Sequence, residues 1–133
     1  MKLNLLPRKE FEIILESGEV IKGKFGNWSV KRFTDIKGIP LSKLEEAMNA
    51  ESISFDDVCL VLLCAVEYSC RKENKPFRYT DVDACEWIEW LGGLGGEDYS
   101  RLMAHAGSEE VEKKNPDQVL SGESSNEFVS VPV

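Results

Sequence analysis

The chain has 133 residues, enough for one domain with a single modest core. Its formal charge of −8 and pI of about 4.7 argue against a nucleic-acid backbone binder, which needs clustered Lys and Arg; they suit a soluble protein or one with a basic partner. The opening Met1-Lys2-Leu3-Asn4-Leu5-Leu6-Pro7 is too short an apolar stretch for a signal peptide, and the longest apolar run, 58–66, is about half the roughly 20 residues of a spanning helix.

The first predicted element is an antiparallel hairpin over 11–25. Phe11, Ile13 and Leu15 alternate with Glu12, Ile14 and Glu16, the period-2 pattern of a half-buried strand. Ser17-Gly18 is the turn, and Ile21 and Phe25 line one face of the return strand, with Lys22 and Lys24 on the other. Two strands alone are marginal in water, so the hairpin is expected to pack on a helical body.

Helices follow. Gly26-Asn27 offers a break and a cap for a helix over about 27–37, whose apolar side is Val30, Phe33 and Ile36, with Trp28 falling away from it to fold back over the hairpin. Gly38-Ile39-Pro40 stops it. Leu41, Leu44, Ala47 and Met48 mark a short helix over about 41–49. Ser54 caps a helix over about 55–73, with Asp56 and Asp57 in its first turn and Arg71 and Lys72 near its end. Its 58–66 run is apolar on all sides, the mark of a helix buried on most of them.

Asn74-Lys75-Pro76 ends that helix, and Phe77-Arg78-Tyr79 reads as extended. Thr80 caps a helix over about 81–91 with a buried stripe of Ala84, Trp87, Ile88 and Leu91. Gly92-Gly93-Leu94-Gly95-Gly96 reads as a flexible turn or hinge, before a helix over about 96–106 that carries Tyr99, Leu102, Met103 and Ala106 on one face. The fold class is therefore α+β and mostly helical: an N-terminal β-hairpin on about five helices in one domain, 1–107. Residues 108–133 form an acidic tail, too rich in Glu, Ser, Lys and Asn to build a core and read as disordered, with an apolar tip, Phe128-Val129-Ser130-Val131-Pro132-Val133.

Catalytic and metal chemistry find little to stand on. Cys59, Cys64, Cys70 and Cys85 lack paired C-x₂-C spacing, and three of them share the apolar helix, so they read as reduced packing residues rather than a metal or disulfide site. The acid cluster that starts at Asp81 is no calcium loop, since Cys85 and Glu86 stand where one needs a ligand and a turn glycine, and Asp83, Glu86 and Glu89 read as a solvated helix face. His105 is the single histidine and reads as structural. The Gly-rich segment lacks the Lys-Ser/Thr of a phosphate loop. The reading is of a protein that is not an enzyme, holds no cofactor or metal, and works by binding. Candidate partner contacts are Ile14, which faces away from the buried strand side, Trp90, about 100° off the stripe of its helix, and Phe128 in the tail tip. A Trp in such a position more commonly just shields the core edge, and Trp90 reads that way as well.

The order of elements resembles the tail assembly chaperones of long-tailed bacteriophages. The residues that carry this are Phe11-x-Ile13-x-Leu15-x-Ser17-Gly18-x-x-Ile21-x-Gly23-x-Phe25-Gly26, then Trp28-x-x-x-x-Phe33 and Leu41-Ser42-Lys43-Leu44. Ile53-Ser54-Phe55-Asp56-Asp57 with Ala65-x-x-Tyr68, and Thr80-Asp81-x-Asp83, complete a likeness over roughly 11–91. It implies a small acidic protein of the host cytoplasm that coats the tape-measure protein, keeps it soluble, helps tail-tube subunits polymerise, and is absent from the mature virion. In many such phages a ribosomal frameshift also makes a longer form. Its partners would be the tape-measure and tail-tube proteins, with self-association open, and neither nucleic acid nor membrane. Two other readings stand beside it: a small acidic regulator or inhibitor that mimics DNA toward a basic protein, and a structural tail component.

Overall fold

The 58–66 run of the central helix is apolar on every side, and neighbouring elements bury seven of its nine residues, leaving Leu60 and Leu63 half-buried. The computed structural model describes residues 2–49 and 53–107. Its strands are β1 (Leu3–Leu6), β2 (Glu10–Ile14) and β3 (Val20–Lys24), and its helices are α1 (Asn27–Lys37), α2 (Leu44–Ala47), α3 (Phe55–Lys72), α4 (Asp81–Trp90) and α5 (Glu97–Gly107). Described residues up to Met103 belong to one compact unit, and Ala104–Gly107, the end of α5, fall in a second. The expected tail, 108–133, lies outside the described residues.

The α+β, mostly helical architecture is as expected, but the sheet has three strands in the order β1-β2-β3, all antiparallel. The added strand β1 comes from a segment read only for targeting signals. It was hard to see because its turn to β2 carries no Asn-Gly or Gly: Arg8 and Lys9 take φ values of 62° and 60° instead. Left-handed backbone costs a non-glycine residue about 1–2 kcal/mol, and β3 supplies compensation. Lys24 Nζ donates to the Arg8 carbonyl at 2.9 Å, and the Phe25 N–H donates to the Lys9 carbonyl at 3.0 Å.

The hairpin turn is one residue longer than the expected Ser17-Gly18. The Gly18 N–H donates to the Leu15 carbonyl and the Leu15 N–H to that of Glu19, both at 2.9 Å, which makes Glu16-Ser17-Gly18 a three-residue loop with Gly18 at φ 95°. Leu15 therefore lies beyond β2 and is half-buried, while Phe11 and Ile13 are buried as expected. Register sets Leu3 against Ile13, Ile13 against Ile21, and Phe11 against Gly23. The Phe11 ring occupies the space where a Gly23 side chain would stand, and it packs on Phe25 with centroids 5.0 Å apart.

Helix α3 lies against β3, α1 and α4. Its buried apolar residues are Val58, Cys59, Val61, Leu62, Cys64, Ala65 and Val66, and each large one contributes about 1.5–3 kcal/mol. Ser54 Oγ accepts the Asp57 N–H at 3.1 Å at one end. Asn74, at φ 57°, turns the chain at the other, with the Lys75 N–H donating to the Cys70 carbonyl at 2.8 Å. Helix α4 opens on Thr80, whose N–H donates to Asp83 Oδ2 at 2.8 Å, and its Ala84, Trp87, Ile88 and Leu91 are buried as the stripe predicts. The glycines after it make a built turn: Gly92 sits at φ 98°, and a Cβ on Gly96 would stand 2.5 Å from the Leu91 carbonyl oxygen.

Two helical expectations need correction. In α1 the buried residues are Ser29, Phe33 and Thr34, while Ile36, in the last turn before Gly38 ends the helix, is 48% exposed. The expected 41–49 helix is a 3-10 turn, Leu41–Lys43, followed by the single turn of α2, and Leu41 stands 69% exposed. No helix among the described residues is long and apolar enough to cross a membrane.

Gly23→Ala should destabilise the fold by about 1–3 kcal/mol, because the added methyl meets the Phe11 ring in a packed core. Urea denaturation measures this, and in a Phe11→Leu background the cost should be smaller than in the wild type.

Candidate functional site

Ile14 and Trp90, 76 residues apart, come together. The Trp90 Nε1–H donates to the Ile14 carbonyl at 2.8 Å, and Lys2 closes the group from β1: its Nζ lies 4.6 Å from the Trp90 ring and donates to the Trp90 carbonyl at 3.1 Å. Both side chains are half-buried. Helix α4 thus docks its last residue on the end of the central strand β2, with the indole N–H satisfied inside the protein. Phe128 lies outside the described residues.

A second cluster joins α1, α3 and β3. Trp28 folds onto Tyr68 of α3, centroids 5.6 Å apart, rather than over the hairpin, and Arg71 stands 5.3 Å from the Trp28 ring. Lys24 approaches the Tyr68 ring at 5.9 Å. Beneath them Glu67 is 7% exposed. It accepts from Arg32 Nε at 3.1 Å and from Arg71 Nε and Nη2 at 3.2 and 3.1 Å. Two cations around one carboxylate are what a buried charge requires.

Exposed large apolar side chains lie elsewhere, among them Val20, Val82 and Leu94. The C-terminus of α1 is tied to the start of α3 by Lys37 Nζ and Asp57 Oδ1 at 2.9 Å. Ile36, Leu41 and Phe55, which is 40% exposed, flank that tie in sequence. Sequence reasoning placed Ile36 on the apolar side of α1 and Leu41 on that of the next helix; α1 ends at Lys37 as expected with Ile36 exposed, and Leu41 opens a 3-10 turn.

The four cysteines are free thiols, and Cys59 and Cys64 are buried as packing residues should be. Burial pushes both thiols up from 9.0 to about 12, with neighbouring Cys85 and carboxylates adding at Cys59 and Glu67 adding at Cys64. Cys70 is raised as well, chiefly by burial. Of the acids on α4, Asp83 is spent on the Thr80 cap. His105 lies half-buried near the end of α5. Among the described residues no three His, Cys, Asp or Glu side chains are grouped to hold a metal ion. A groove of about 210 Å³ between the sheet and α3 is lined by Lys22, Lys24 and Lys72 against Glu10, Glu12 and Glu73, so its charges balance.

Comparison of the chain with protein-family models, curated proteins and solved structures returns no match.

Two outcomes follow from this geometry. Trp90→Phe keeps the ring and removes the N–H donor, so it should lower unfolding stability by about 1 kcal/mol in urea denaturation with an unchanged slope. The raised thiols mean that the folded chain holds these protons more tightly than the unfolded one. The stability they contribute is full below pH 9 and is lost as pH rises from 9.0 toward about 12. Urea midpoints should fall across that window, and less steeply in Cys64→Ala.

Proposed function

We propose that this protein is a tail assembly chaperone of a long-tailed bacteriophage, which binds the tape-measure protein, keeps it soluble, and aids polymerisation of the tail tube around it. It acts by binding rather than catalysis, in the host cytoplasm, and leaves before the virion is complete. The resemblance over roughly 11–91 supplies the family. The observation that carries the reading is the exposed set Ile36, Leu41 and Phe55, which flank the Lys37–Asp57 pair in the sequence of an acidic protein. A client made of long apolar-striped helices needs large apolar side chains presented on a carrier that itself stays in solution, and such side chains concentrate binding energy. The reading as an acidic DNA mimic has less support, since the acids are spread over several helices and several are engaged by Lys or Arg.

Co-expression should keep an otherwise aggregating tape-measure protein soluble, and the two should co-purify. Leu41→Asp with Phe55→Asp should weaken that capture by about 2 kcal/mol or more. Changes at such exposed positions typically shift fold stability by no more than about 0.5 kcal/mol each. A tape-measure protein that aggregates regardless of this chain removes the proposal.

A further inference from the structure

Cys59 of α3 and Cys85 of α4 are 26 residues apart in the chain, yet their sulfurs stand 3.7 Å apart. Both sit in the early turns of helices whose N-termini are tied by side chains, Ser54 for α3 and Thr80 with Asp83 for α4, so the backbone holds the two thiols facing one another. Cys59 is 3% exposed, whereas Cys85 is half-buried and forms the solvent side of the pair. The other two thiols have different surroundings: Cys64 lies toward Glu67 and Arg32, and Cys70 toward Glu73 and Lys75.

We propose that Cys59 and Cys85 form a modification site for small-molecule disulfides such as oxidised glutathione, through which the pair becomes an intramolecular disulfide that staples α4 to α3. The Cys85 thiolate attacks one sulfur of the glutathione disulfide. That bond breaks, one glutathione leaves as thiolate, and it takes up the proton that Cys85 gave. The Cys59 thiolate then attacks the Cys85 sulfur of the mixed disulfide and expels the second glutathione, which takes the Cys59 proton. Two protein thiols are oxidised and one glutathione disulfide is reduced to two thiols. Closure brings the two sulfurs, already in contact at 3.7 Å, to a bond of about 2 Å.

The surroundings set the order of events. Cys59 keeps its proton because it is buried and because Cys85 on α4, Asp56 on α3 and Asp81 on α4 all oppose its ionisation, with Tyr99 of α5 also close enough to interact. Reaction therefore begins at Cys85, and closure by Cys59 is the slow step. Once formed, the bond holds α4 on α3 and with it the Trp90–Ile14 dock at the end of β2.

The test is incubation of the purified full chain with oxidised glutathione at mildly alkaline pH, then alkylation, intact mass and peptide mapping. The expected product has lost two hydrogens and kept no glutathione, with Cys59 linked to Cys85 on fragmentation. It melts several degrees above the reduced chain, and a reductant restores the original mass and melting temperature. Cys85→Ser should yield no intramolecular bond. If that variant does not fold, mapping of the wild-type product decides the matter alone. Stable glutathione adducts, bonds through Cys64 or Cys70, dimers linked between chains, or a native chain left unoxidised under conditions that oxidise the denatured one would each overturn the site.

Discussion

The constraint on which the molecule depends is the apolarity of α3. A helix with Val58, Cys59, Val61, Leu62, Cys64, Ala65 and Val66 all buried has most of its middle turns to hide from water, with Leu60 and Leu63 only half-buried. Helices α1 and α4 and strand β3 all lie against it. The sheet in turn needs α3: three short strands hold together only with one face covered, and Leu3, Phe11, Ile13 and Ile21 are buried to within 1% of complete. Each part is marginal alone.

Polar groups enter this arrangement only where they are paired. Glu67 sits on the same helix as the apolar run, and its carboxylate is tolerated because Arg32 and Arg71 both reach it. That group also fixes how α1 crosses α3, since Arg32 comes from one helix and Glu67 from the other. Trp28 packs on Tyr68 and lies against Arg71, one of the two cations around Glu67. Trp90 follows the same logic at the end of α4, half-buried while its N–H finds a backbone carbonyl. Large amphipathic residues at the rim of this small core seal it and tie its elements together.

The same compactness shapes what the surface offers. Ile36, Leu41 and Phe55, which flank the Lys37–Asp57 pair in sequence, stand exposed. Close packing of α3 and α4 brings two thiols into contact that composition alone treats as small hydrophobes. Neither feature has a local signature, because each arises from where two elements meet.

By itself the sequence determined the elements whose signals are local. Period-2 alternation marked β2 and β3, the Ser54 and Thr80 caps marked the starts of α3 and α4, and i, i+3, i+4 spacing marked the buried stripe of α4. These rest on hydrogen bonds and periodicities within a few residues, so they are readable one segment at a time. Tertiary structure alone decided β1, whose turn places Arg8 and Lys9 in a left-handed conformation that no local preference favours and that bonds from β3 support. It also decided that Ile36 and Leu41 are exposed, that Trp90 docks on Ile14, and that Cys59 meets Cys85. Each of these depends on contacts between residues distant in the chain, whose energies no window of sequence contains.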